Sequence, residues 1–372
     1  MSKVKLARLS LPLALLFALA QAAAAQTGAR LALSGLPDSQ AVLYVNAHRI
    51  VNDLMPRVMP PAEYAKMLTE AKKVGFDARG IDYVVVGARL ADPPPANYLP
   101  EFVVVIHGNF NADTMLVLGR ALAGSQNITP RSETYGSKTL EIIDLQSIGR
   151  KEWPTGADGQ GEAKPNSMPY PEVAVMALDA NTLVAGVPSY VKAVVDAAGG
   201  RGALKSSMVD LAARDPQALW SLTVEPPPAL IDYLHKYGAP SNKEFDEMID
   251  WVKQVSLGQG MDALNYTMSV SLTTDTPEHA SAFSGLVRMG LLAAQTGLNS
   301  EVAKLKPRDK DYAKARAALT TVNNLVNRTE GNTLLLSVSV PQKAVGDLLK
   351  SEMGRKSSAP ATAPRRGRAR RR

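Results

Sequence analysis

The chain has no cysteine among its 372 residues. That absence excludes disulfide bonds, thiolate metal sites, a thiol nucleophile and the lipid-modified cysteine of a bacterial lipoprotein. Aromatic residues make up only 5% of the sequence, so aliphatic side chains and Met must fill most of any core. The four histidines are widely separated and form no H-x-x-x-H or H-E-x-x-H pattern. The sequence therefore predicts neither a metal site nor a cofactor.

Long apolar runs are also scarce, and the one at the start has the layout of a secretory signal peptide. Three cations within the first eight residues precede an apolar run over 9–20, and Ala22–Ala25 supply a cleavage site of small residues. The run is shorter than the roughly 20 apolar residues that span a bilayer, and an uncleaved membrane anchor is the alternative. We expect residues 1–25 to be removed and the mature chain to begin near Gln26, in the periplasm or secreted.

The net charge of +7 is distributed very unevenly. The first 25 residues contribute +3 and residues 354–372 contribute +8, which leaves the body between them at −4. The chain is therefore a mildly acidic globule with a cationic tail. Its pI near 9.4 says little about the folded surface.

The C-terminal tail, residues 354–372, is rich in Ser, Ala, Pro and Arg and cannot bury enough apolar surface to order itself. Six arginines within eight residues attract polyanions such as lipid headgroups, an anionic envelope polymer or nucleic acid. A solubilising end without a binding role is the alternative. The predicted polyanion-binding residues are Arg365, Arg366, Arg368, Arg370, Arg371 and Arg372.

Hydrophobic patterning predicts an α+β fold made of two similar modules, each a mainly antiparallel sheet covered by helices. The first module covers residues 26–215, with a surface loop at 146–171, and the second covers 216–353. Each opens with a strand, at 41–45 and 219–224, and continues through helices into further strands. No residue-level repeat accompanies this order, so duplication is a hypothesis.

Several elements are predicted sharply. The run Val84–Val86 indicates a buried strand, and two hairpins are predicted over 129–145 and 173–187. Apolar residues recur at helical spacing over 243–255, whereas they alternate with polar residues over 264–272, which is typical of a half-buried strand. The remaining predicted helices include 62–74, 113–123, 188–198, 228–237, 277–296, 308–327 and 341–350.

One pattern suggests a nucleophile. Ser189 and Lys192 form an S-x-x-K sequence at a helix start, as in penicillin-binding proteins and serine β-lactamases. The Y-x-N element of that group would be Tyr44–Asn46, which precedes the serine instead of following it, and no K-T-G strand follows. We therefore favour a helix start with an exposed lysine.

Two glycine-rich stretches, at 156–161 and 258–260, lack the Lys-Ser/Thr of a phosphate-binding loop and are interpreted as ordinary loops. Carboxylates are plentiful, at helix starts and on the polar face of the predicted helix over 243–255, without a distinctive pair. A glycosidase pair could still lie among them, because its two members need not be close in sequence.

The stretch from Gln40 to about Asp215 loosely resembles a group of uncharacterised exported bacterial proteins. The resemblance rests on the strand and helix over Val42–Val58, the turn at 75–82 before a valine strand, Phe102–Phe110 and the Asp179–Gly186 stretch before a helix. It implies an α+β fold with two similar modules and brings no catalytic residue and no known activity.

The sequence as a whole favours an exported, non-enzymatic protein that binds or scaffolds in the bacterial cell envelope. Its ligand and any protein partner are left open, apart from the polyanions expected at the tail. The first alternative is an envelope hydrolase with a dispersed serine or carboxylate site. The second is a periplasmic solute-binding protein, which the lack of regular βαβ alternation disfavours.

Overall fold

The computed structural model describes residues 28–342 except 74, 76, 91–99, 146–169, 238–242 and 310. Its centre is one sheet of 12 strands in which every neighbouring pair is antiparallel. In chain order the strands are β1 (Ala41–Val45), β2 (Ile81–Arg89), β3 (Glu101–Gly108), β4 (Arg131–Tyr135), β5 (Lys138–Asp144), β6 (Glu172–Asp179), β7 (Thr182–Gly186), β8 (Ala218–Val224), β9 (Val252–Met261), β10 (Asn265–Thr274), β11 (Val326–Glu330) and β12 (Thr333–Pro341). Across the sheet they follow the order β11-β12-β10-β9-β8-β1-β2-β3-β7-β6-β5-β4.

Helices connect these strands. A π-helical turn at Ile50–Leu54 joins the second helix to the third, and a 3-10 turn at Ala78–Gly80 precedes β2. The helices are α1 (28–34), α2 (Ala47–Arg49), α3 (Met55–Val58), α4 (Pro61–Lys73), α5 (Ala112–Ser125), α6 (Pro188–Ala198), α7 (Ser206–Ala212), α8 (Pro228–Tyr237), α9 (Lys243–Trp251), α10 (Pro277–Lys304) and α11 (Tyr312–Asn323). None of the helices in this described part of the chain combines the length and apolar character needed to cross a membrane.

The α+β fold with antiparallel pairing is confirmed. The strands of both predicted modules lie in the same sheet, because β1 pairs with β8 from Ala41 opposite Val224 to Val45 opposite Trp220. The division into modules near residue 215 is not tested by this pairing and stays a prediction.

A hydrophobic core lies on one side of β1 to β3 and β5 to β7, the covered face. Side chains alternate across a strand, so Val42, Val85, Val103 and Val184 all point to this side and are fully buried. Helices α1, α6 and α7 cover them with Leu33, Tyr190, Val194 and Met208. Burial of this one layer therefore anchors the N-terminal part of the sheet.

Most of the sharply predicted elements are confirmed, including both hairpins, the β2 strand and the strand over 264–272. The helix predicted over 243–255 is wrong at its end, because the helix stops at Trp251 and β9 begins at Val252. Residues 28–34, interpreted as part of a polar lead-in, form a helix whose Leu33 is buried. Pro341, predicted to begin a helix over 341–350, is instead the last residue of β12, and residues 343–350 and most of the predicted loop over 146–171 lie outside the described residues.

Candidate functional site

The sheet side opposite the covered face carries an unbroken line of apolar side chains across nine strands, which we call the apolar row. Strand register places each member directly opposite the next, so all of them project from the same side. At a strand spacing of about 4.8 Å the row extends for roughly 40 Å. Its members are Val175, Ala185, Val104, Val86, Leu43, Leu222, Leu257, Val270 and Leu336.

Two helices close the ends of this row with polar contacts. At one end Glu141, which is 6% exposed, accepts a hydrogen bond from Arg120 Nη2 of α5 at 2.7 Å. At the other end Asn327 Nδ2 donates to the Ser284 carbonyl of α10 at 3.0 Å. These contacts place α5 and α10 on the same side of the sheet as the apolar row.

The strand ends are closed as well. Ile50 and Leu54, together with Trp220, pack against the buried cluster of Leu219, Met261 and Tyr266 beside one end of β8 to β10. At the opposite strand ends, Leu230 of α8 and the start of that helix line an apolar cavity of about 380 Å³ against Ala41, Ala88 and Val224. We call the framed region between these helices the open face.

The open face is incompletely covered over β9 and β10. Leu257 is 38% exposed and Met268 of the neighbouring strand is 58% exposed, while Leu43, Val86, Val104 and Leu222 are half-buried. A solvated side of an antiparallel sheet ordinarily carries polar residues. An apolar side of this width without full cover is instead typical of a surface that another molecule covers.

On the same side of the sheet as the covered face, the strands of the second half, β8 to β12, carry hydroxyl-bearing side chains. The hydrophobic core under α1, α6 and α7 does not extend over them. Thr223 lies opposite Val42 and Ser221 lies opposite Tyr44, so the side that is aliphatic in the first half continues as hydroxyls in the second. A groove of about 350 Å³ runs over this region, and we call it the serine groove. Its lining includes Ser221, Ser256, Gly258, Ser269, Ser271 and Ser337.

The S-x-x-K candidate does not form a catalytic dyad. Ser189 Oγ donates a hydrogen bond of 2.6 Å to Glu101, and the Lys192 ammonium pairs with Glu133. Glu101 is further held by Arg89 at 2.9 Å, and these two bonds, working against partial burial, keep the pKa of its carboxyl below the usual range. Pro188 occupies the first turn of α6 as predicted.

The histidines stand apart from one another, and three of the four, His107, His235 and His279, lie beside a carboxylate. His107 Nδ1 lies 2.9 Å from Thr182 Oγ1, and its ring stacks on Tyr83. His279 Nδ1 lies 2.6 Å from Asp275, and its ring stacks on Trp251 with the centroids 3.9 Å apart. Among the described residues, no group of three or more His, Cys, Asp or Glu side chains could hold a metal ion.

Sequence reasoning missed both surfaces. Gly258–Gly260, interpreted as a loop, lies within β9, the fourth strand from one edge of the sheet. The alternation over 264–272 already contained Ser269 and Ser271 against Met268 and Val270, but only strand register shows which residues of other strands join them. The predicted polyanion-binding arginines of the tail and the glycine-rich stretch at 156–161 lie outside the described residues.

No family model matches the chain, and no curated protein matches it either. Among solved structures, crystal forms III and IV of the bacterial protein TP0453 are similar at 10% sequence identity, with TM-scores of 0.39 and 0.41. The alignments cover 86% and 85% of this chain and 97% and 95% of TP0453. A likeness of this degree carries no argument about function.

Proposed function

We propose that this chain is an exported, non-catalytic interaction protein of the bacterial cell envelope, and that a partner covers its open face. The single observation that carries the proposal is the exposure of apolar side chains on the open face at β9 and β10, in the apolar row and beside it. Leu257 and Met268 remain accessible between helices that already enclose the rim of the open face. Large apolar patches of this kind mark interaction surfaces more often than they occur on isolated monomers.

The engaged state of the one suggested nucleophile supports a non-catalytic role. The Ser189 hydroxyl donates a hydrogen bond to Glu101, and the Lys192 ammonium is paired with Glu133, so neither group is placed to activate the other. The signal-peptide layout of residues 1–25 supports the envelope address, because such a leader directs export.

Site-specific photo-crosslinking in the bacterial envelope tests both parts. A photoreactive residue in place of Met268 is expected to give a discrete covalent adduct in the periplasmic fraction, on a chain whose N-terminus lies near Gln26. The Leu257→Lys substitution should abolish that adduct, because a charge on the apolar row must be desolvated when the partner covers it.

Leu264 supplies the matched control position. It is 74% exposed in the turn between β9 and β10, outside the apolar row, and a photoreactive residue there should give no such adduct. An adduct that survives Leu257→Lys, or the same adduct from position 264, would refute the open face as the contact. Recovery of the chain from cytosol with Met1 retained would refute the envelope assignment.

A further inference from the structure

The serine groove is built differently from an ordinary solvated sheet surface. The exposed edge strand β4 carries long charged side chains such as Arg131, whereas Arg328 of the other edge strand, β11, lines the groove and pairs with Glu330 at 3.1 Å. The groove floor instead carries short side chains that are sunk below the surface, with Ser256 7% exposed and Ser271 6% exposed. Serine and glycine are poor strand formers, so a floor made of them points to a role other than sheet stability.

The floor is kept open by Gly258 at the middle of β9. A Cβ at this position would lie 3.1 Å from Ser269 Oγ of the neighbouring strand, which is tighter than ordinary contact. A glycine inside a strand often marks close approach by a ligand or another backbone. Here it leaves Ser269 accessible from the groove.

Several polar groups in the groove have hydrogen-bonding capacity that the described part of the chain does not use. The hydroxyls of Ser269, Ser271 and Ser337 make no side-chain hydrogen bond to any described residue. Because no side-chain N or O atom of the described residues is both fully buried and without a hydrogen bond, these hydroxyls are accessible from the groove. Arg214 lines the groove, is exposed, and has no ion-pair partner among those same residues. These groups are therefore free to bind a ligand.

Carboxylates in the lining narrow the class of ligand. Asp262 accepts hydrogen bonds from the backbone N–H groups of Leu264 and Asn265, both at 2.7 Å, and these bonds keep its pKa below the usual range. Asp215 accepts from the N–H of Gln217 at 2.8 Å. The two carboxylates would repel a small anion such as phosphate. An apolar ligand would bury the hydroxyl groups of the floor without giving them hydrogen bonds.

We propose that the serine groove binds a saccharide, a neutral glycan of two to three rings. Sugar hydroxyls both donate and accept, so they complement serine hydroxyls, the donor-only Arg214 and the acceptor-only carboxylates of Asp215 and Asp262. The groove volume of about 350 Å³ suits a ligand of this size. This proposal is independent of the open face, which lies on the other side of the sheet.

The arrangement of the strands also predicts how the bound glycan is oriented on the sheet. Gly258 lies opposite Ser269 and Ser269 lies opposite Ser337, so positions on successive strands follow one another at about 4.8 Å. That spacing is close to the length of one ring in a β-1,4-linked chain. A β-1,4-linked glycan that runs across β9, β10 and β12 would therefore place one ring over each strand.

NMR titration of the full mature chain tests the site. Cellotriose and the β-1,4-linked trimer of N-acetylglucosamine serve as probes, inorganic phosphate as the competing chemistry, and the backbone amides of Gly258 and Gly260 as local reporters. At least one trisaccharide should shift these amides saturably. Ser269→Val combined with Ser337→Val should weaken binding by about tenfold or more, since each substitution removes a hydroxyl and adds bulk to the groove.

Two further variants make the test specific. Thr134→Val removes an exposed strand hydroxyl at the opposite edge of the sheet and should leave the affinity unchanged. Arg214→Ala changes an exposed side chain that has no ion-pair partner among the described residues, so this variant should weaken binding even if the double valine variant fails to fold. The proposal fails if neither trisaccharide moves the reporters, if phosphate binds in their place, or if affinity survives both groove variants.

Discussion

Tyr190 is the bulkiest side chain that the core buries completely, and its hydroxyl is fully engaged. It donates to the Asp38 carbonyl at 2.9 Å and shares a hydrogen bond of 2.5 Å with Ser39 Oγ, while the Arg89 guanidinium lies 4.6 Å from the ring centroid. Burial, only partly offset by Ser39 and Arg89, raises the pKa of Tyr190 to about 12. The packed core therefore disfavours ionisation of this phenol.

The raised pKa predicts a loss of stability in alkali. Because the pKa of Tyr190 is higher in the folded chain than the value of about 10 in the unfolded chain, its contribution is complete below pH 10 and is lost as pH rises toward 12. We expect the free energy of unfolding to fall by roughly 2–3 kcal/mol over this interval on account of Tyr190. Urea unfolding at a series of pH values measures it.

Two tyrosine variants separate this effect from general alkaline damage. Tyr190→Phe should lower stability at neutral pH by about 1–3 kcal/mol, since the Asp38 carbonyl loses its donor, and should show a shallower fall toward pH 12. Tyr312→Phe, whose hydroxyl makes no hydrogen bond to any described residue, should keep the wild-type pH profile. Parallel profiles for Tyr190→Phe and the wild type would contradict the assignment.

Among the elements, strands were predicted well where one face is buried, and poorly where a strand follows a helix directly. Val252 and Val255 continue the helical spacing of α9, yet Val255 pairs with Leu272 and Val252 with Thr274. Strand pairing, which depends on residues about 20 positions away, overrides the local helical pattern there. Both candidate surfaces depend on the same non-local register, so the sequence alone could not assemble them.

The pairing of β3 with β7 depends on a glycine. Gly186 lies opposite Val103, and a Cβ at this glycine would lie 2.3 Å from the Phe102 carbonyl oxygen and 2.8 Å from Val103 Cα. These are backbone atoms of the neighbouring strand, so they cannot move without opening the sheet. We expect Gly186→Ala to lower the free energy of unfolding by about 3 kcal/mol, measured by urea denaturation.

A glycine-to-alanine substitution that should raise stability serves as the control. Gly285 lies in α10, and nothing lies within 4 Å of a Cβ built there. Gly285→Ala should therefore raise stability by about 0.5–1 kcal/mol, because alanine loses less backbone entropy in a helix. Similar effects of the two substitutions would show that strand contact at Gly186 is not the cause.

At the scale of the whole molecule, the two halves of the sheet follow a common order. The second half runs β8-β9-β10-β12-β11 away from the centre, and the first runs β1-β2-β3-β5-β4 once the β6–β7 hairpin between β3 and β5 is set aside. In each half, helices follow the first strand and the third strand. Duplication stays a prediction, and the antiparallel β1–β8 pair is where the halves would join.

The open face and the serine groove lie on opposite sides of this sheet, which suits a protein that connects two partners. The open face presents apolar side chains, while the groove presents hydroxyls and one unpaired guanidinium. Because the groove and the apolar row lie on opposite sides of the sheet, a ligand in the groove leaves the row free. Both surfaces can therefore be occupied at once.

The charge of the tail predicts a third interaction of the whole molecule, with a polyanion. Residues 357–372 carry six arginines and no acidic residue, whereas the body carries a net charge of −4. Each basic residue near an anionic membrane surface contributes about 1 kcal/mol, an attraction that salt screens. We predict that deletion of residues 357–372 weakens co-sedimentation of the mature chain with anionic lipid vesicles at low salt, and that high salt weakens the intact chain in the same way.

Charge-matched variants distinguish electrostatic attraction from a specific arginine contact. Replacing all six arginines by Lys keeps the charge and should preserve co-sedimentation, whereas replacing them by Gln should abolish it, because a diffuse polyanion responds to charge rather than to guanidinium geometry. Neutral vesicles should retain none of these forms. Equal retention of the intact and truncated chains on anionic vesicles would remove the tail from the binding function and leave the two sides of the sheet as its only proposed surfaces.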